Sequence, residues 1–211
     1  MPDNLIAAVV ILFTYSIVLL LRSGSLPFLI KKLYLLTAAG KKQQLLRIQP
    51  FLELHSGYFK ALSENGRKIF INRCLQFVGS KNFIGMEGMK VTFEMEIKLA
   101  AAAIQITFGF KNFSFSHYHT VKIFPEPFYS RLHDRYLKGG ASTSGVLFFS
   151  WKDFLEGYNS PDDRYNLGLH EMAHALRLQL LHGSDFDSRF ANYADQWEEI
   201  ARPEFGSHEP T

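Results

Sequence analysis

His170-Glu171-Met172-Ala173-His174 sets two imidazoles four residues apart with a carboxylate beside the first. Four residues along a helix return to nearly the same face, so both rings converge on one ion while Glu171, about 100° around, reaches a water held there. His170 and His174 are therefore candidate zinc ligands and Glu171 a candidate general base. The ion acidifies the water and polarises a carbonyl, and Glu171 takes the proton and passes it to the leaving amine. That is zinc-dependent peptide-bond hydrolysis. The competing reading is two histidines satisfied by hydrogen bonds on a buried helix. Against it, Leu169, Met172, Ala173, Leu176 and Leu180 form an apolar stripe away from the histidines, which buries one face and leaves the other to a cleft. The single cysteine, Cys74, rules out a zinc module built on two or more cysteines of this chain, so any metal must rely mainly on histidine and carboxylate.

The motif needs a long helix, and the flanking residues predict one. Ser160, Asp162 and Asp163 supply N-cap and first-turn charge, and the helix runs to about Leu181, ending at His182-Gly183. Its Asp162-Asp163-Arg164 start and Arg177 place it in a soluble domain and not within a bilayer. Upstream, Phe51 to Ser63 and Lys68 to Val78 read as helices separated by a Glu64-Asn65-Gly66 turn, and Thr92 to Ile106 as a third, although Val91, Phe93 and Met95 alternate and could extend a strand instead. Thr120 to Phe124 and Val146 to Ser150 read as strands, Gly139 to Gly145 as a turn region, and Trp151 to Tyr158 as a short helix or turn. Strands between helices make an α+β domain. We take residues 48–211 as one folding unit.

Before that unit lies an appendage of different character. From Asn4 to Leu21 no residue is charged, about the length needed to cross ~30 Å of hydrocarbon, so residues 1–22 read as a transmembrane anchor. A cleaved signal peptide fits less well, because the head carries Asp3 and the run ends in Arg22. Residues 23–47 form a basic juxtamembrane segment whose Arg22-side flank carries Lys31, Lys32, Lys41, Lys42 and Arg47, which predicts a single-pass protein with its C-terminal domain in the cytoplasm. Leu26 to Leu36 fits a helix in the headgroup layer or one packed on the domain.

At the motif the chain resembles the MtfA-like zinc metallopeptidases. The likeness rests on IFPEPF (Ile123 to Phe128), GVLFFSW (Gly145 to Trp151) and YNLGLHEMAHAL (Tyr165 to Leu176) in that order, with weaker similarity from about Phe51 to Trp197. The resemblance implies a zincin-like peptidase domain of helices and a small sheet, with His170 and His174 as zinc ligands and Glu171 as base. It also implies that GVLFFS is the strand beside the active-site helix, where an extended peptide substrate could pair. Family members draw a third ligand from a downstream glutamate in a segment like EFFA, with an assisting tyrosine before it. This chain has no such segment before Thr211, and the expectation is C-terminal truncation; Glu198 and Glu199 read as a surface pair on a helix over Phe186 to Ala201.

Other classes find less support. Lys+Arg 23 against Asp+Glu 20 gives no bulk charge for binding nucleic acid, and no nucleotide loop or nucleophile elbow is present. His117 and His119 share a face if extended but lack a third ligand. Cys74, in a core-like pattern, reads as inert. The rival to a peptidase is a non-catalytic regulatory or binding module that retains an incomplete zinc site.

Overall fold

The computed structural model describes residues 9, 11–16, 18, 37–111, 113–131, 133–159 and 166–182. Of the run 4–21, residues 9, 11–16 and 18 are helical with exposed side chains, and the rest lies outside the described residues, as does 26–36. No helix among the described residues is long and apolar enough to cross a membrane.

Side-chain caps set where the first helices begin. Thr37 accepts from the Gly40 N–H to start α1 (Ala38–His55), Ser56 from the Phe59 N–H to start α2 (Gly57–Ala61), and Ser63 from the Gly66 N–H to start α3 (Glu64–Ser80). The Ser63 cap corrects the expected turn: Glu64-Asn65-Gly66 is the first turn of α3, where Glu64 also pairs with Lys68 at 2.8 Å. Helix α1 runs through Pro50 and buries Ile48 and Leu52, so the junction drawn at residue 48 falls within a continuous helix.

After β1 (Asn82–Gly85), Thr92 caps α4 (Phe93–Thr107), a helix within one residue of the expected bounds at each end. Ile97, Leu99 and Ile104 on α4 are fully buried, and the small Ala100 to Ala103 let α3 and the active-site helix approach the same rod. Then come β2 (Thr120–Phe124), a hairpin of β3 (Phe128–Ser130) and β4 (Arg135–Leu137), β5 (Gly139–Ser142), β6 (Val146–Ser150), α5 (Trp151–Asn159) and α6 (Leu167–His182). The main sheet has the order β1-β2-β6-β5, with β1, β2 and β6 parallel and β5 antiparallel at one edge. Strands β2 and β6 match their predicted bounds because alternate residues, Val121, Ile123, Leu147 and Phe149, enter the core.

Strand β5 was not expected. Its GGAS sequence carries no strand signal of its own, and pairing with β6 makes it a strand: Gly139 faces Phe149 and Ser142 faces Val146. A three-residue loop closes this hairpin on Gly145, whose φ of +80° suits only glycine well.

Between α3 and β1, Lys81 is buried with its Nζ donating to the Phe115 carbonyl at 2.6 Å. Burial pulls its ammonium down to about 8, from an ordinary 10.5. From pH 8 to 10.5 the folded chain has shed a proton that the unfolded chain retains, so stability rises with pH across that window. Lys81→Met is expected to remove that rise, worth up to about 3 kcal/mol. Urea unfolding of both proteins at several pH values checks this; parallel profiles would refute it.

Candidate metal centre

Helix α6 is fixed at both ends and along one side. At its start the Asn166 side chain accepts from the Leu169 N–H at 3.0 Å and its amide donates to the Gly157 carbonyl, tying α6 to the end of α5. Residues 160–165, where the sequence places the cap, lie outside the described residues. Near its end the Gln179 amide donates to the Ser114 carbonyl and its oxygen accepts from the His117 N–H. Leu167, Met172, Ala175 and Leu176 enter the core, whereas Ala173, expected on the apolar stripe, is exposed beside the histidines. Gly168 permits the tight crossing over α5: a Cβ there would lie 2.4 Å from the buried Phe154 ring.

On the opposite side of α6, His170 and His174 are exposed and meet. Their Nε2 atoms lie 3.0 Å apart and their rings are nearly perpendicular at 85°. Two nitrogens on one tetrahedral ion at ~2.0–2.1 Å are about 3.4 Å apart. The pair therefore fits a metal with a small adjustment, and imidazole is a donor zinc favours. Partial burial, followed by the nearness of His174, lowers the His170 pKa and favours the neutral form that ligates. Glu171 points a quarter-turn away from them and is buried against β5, which pushes its carboxyl up to about 7.

Strand β5, not β6, lies alongside this carboxylate, which corrects the placement of the peptide-pairing strand. GVLFFS is hydrogen-bonded on both edges, to β2 and to β5, and has no edge to offer a peptide. The outer edge of β5 pairs with no strand among the described residues.

Of the other candidates, His117 is engaged with a backbone carbonyl and Cys74 with the core. His117 lies in a turn at residues 116–117, with its ring bonded to the Thr143 carbonyl at 2.9 Å, and His119 is exposed just after it. Cys74 is fully buried, and burial raises its thiol pKa, which suits core packing and not reactivity. Glu198 and Glu199 lie outside the described residues, among which no group of three or more metal-binding side chains is found. Asn166 and Gln179 escaped the sequence reading. An Asn three residues before Leu169 is a readable cap signal, but the Gln179 contacts depend on the tertiary path of residues 114–117.

An HExxH helix packed beside the edge of a small mixed sheet fits a zincin-like metallopeptidase domain. The chain belongs to the glucose-regulated metallo-peptidase M90 family, whose model matches residues 41–209, in agreement with the MtfA-like resemblance. Membership implies a metallopeptidase with a metal cofactor and peptide or protein substrates. No curated protein matches the chain.

Proposed function

We propose that this chain is a membrane-tethered zinc peptidase in which His170 and His174 hold the ion and Glu171 is the general base. The observation that carries the reading is the approach of the two Nε2 atoms to 3.0 Å on the open side of α6, with Glu171 on the same turn. When bound, zinc supplies the Lewis acidity that lowers the pKa of a water and polarises the scissile carbonyl. Glu171 would accept a proton from a water activated there and deliver it to the departing amine, so one carboxylate would serve first as base and then as acid. The outer edge of β5, which pairs with no strand among the described residues, offers main-chain groups to an extended substrate, holding its backbone by strand addition. The tether rests on the uncharged run 4–21 and the basic residues that follow it, which favour a cytoplasmic domain.

One preparation tests both parts. Recovered from the membrane fraction in detergent, the full chain is expected to carry about one zinc and to cleave fluorescently labelled casein, with a chelator abolishing cleavage and added zinc restoring it. Recovery from the soluble fraction sinks the tether alone. A folded chain that binds zinc without cleaving casein assigns the non-catalytic module instead.

A further inference from the structure

We infer that Gly139 is a positioning residue for Glu171: its missing side chain is the seat in which the carboxylate rests against β5. The inference rests on the reading of Glu171 as the base. A Cβ at position 139 would lie 2.6 Å from Glu171 Cγ, 2.9 Å from its Cδ and 3.2 Å from its Oε1. The overlap includes Cγ, the second carbon of the side chain, so rotating the carboxylate alone does not relieve it. Relief requires a turn about χ1 that carries the carboxylate elsewhere.

Neither backbone can retreat instead. Gly139 is registered opposite Phe149 in the β5–β6 ladder, and the preceding residue is held twice. The Ser150 N–H donates to the Lys138 carbonyl at 2.6 Å, and Lys138 Nζ pairs at 2.8 Å with Asp153, whose carboxylate is buried and also receives the Ser150 hydroxyl. Across the gap, α6 is anchored by the fully buried Met172 and Ala175 on either side of the motif's second half. The side chain of Glu171 is thus the part that must give. On the same strand, a Cβ at Gly140 meets nothing within 4 Å, as expected for a neighbour on the other face.

The test is a cycle of full-length proteins: wild type, Gly139→Ala, Glu171→Ala and the double variant, with Gly140→Ala as a stability comparator. Gly139→Ala is expected to lower kcat on labelled casein at least tenfold, with KM within about twofold and zinc content unchanged, because a misplaced group of about 1 Å costs on the order of a hundredfold. In chelator, Gly139→Ala is expected to lower Tm by about 3 °C, and the same substitution in the Glu171→Ala background to lower it no more than Gly140→Ala does. A Tm loss that persists without the Glu171 side chain overturns the seat, as does a Gly139→Ala protein with wild-type kcat. If the wild type holds no zinc and cleaves nothing, the peptidase reading falls separately, and the metal-free Tm cycle still decides whether Gly139 seats Glu171.

Discussion

Glu171→Gln is expected to cut casein cleavage by about a thousandfold or more while zinc content and fold stay intact. General base catalysis contributes on the order of 10²–10⁴, and in the proposed mechanism the same group also returns the proton to the leaving amine, so the expected loss falls in the upper part of that range. Glutamine is nearly isosteric and can occupy the space against Gly139, so the local packing survives. Its amide cannot accept the proton. In the proposed site the carboxyl makes no metal bond, so its removal spares the metal donors, since both Nε2 atoms belong to the neighbouring face of α6. Steady-state kinetics, zinc analysis and thermal unfolding on one preparation check all three points. Activity within tenfold of wild type would remove Glu171 from the mechanism, and loss of zinc would mean that the carboxylate serves the metal.

The motif itself was fully legible in the sequence, because helix periodicity alone brings His170 and His174 together. So were β2 and β6, whose apolar residues both mark them as strands and bury them in the middle of the sheet. What surrounds the motif was less legible for a physical reason. Strand β5 consists of glycines, an alanine and a serine, so its conformation comes from the ladder to β6 and its importance from having no side chain at Gly139. The same glycine, seen in sequence, signals a turn. Glu64-Asn65-Gly66 misleads in the same direction: Ser63 captures the Gly66 N–H and turns a breaker into the start of a helix. Periodicity also put Ala173 on the apolar stripe, whereas the stripe that packs is shifted toward Glu171 and Ala175, because β5 as well as α4 and α5 lies against α6. The shift explains how a carboxylate on an otherwise apolar face comes to be buried.

His174→Ala tests the other half of the site and should fail in the opposite way. Position 174 is exposed on the helix, and alanine is the best helix former, so the metal-free variant is expected to unfold at or slightly above the wild-type temperature. Zinc binding is a different matter. Zinc held by three protein ligands and a water at roughly 10–16 kcal/mol would draw about 3 kcal/mol from each donor, and His174 is one of the two donors found among the described residues, so affinity is expected to drop by at least about a hundredfold. Cleavage should fall with it at limiting zinc. Binding to the folded state alone raises Tm in proportion to the logarithm of free zinc over Kd, so the zinc-induced rise seen in the wild type should shrink or vanish in His174→Ala and persist in Glu171→Gln. That contrast separates ligand from base without any substrate. If His174→Ala keeps the full zinc-induced rise, the ion lies elsewhere in the chain, and the 3.0 Å approach of His170 and His174 is a hydrogen bond between two surface imidazoles and nothing more.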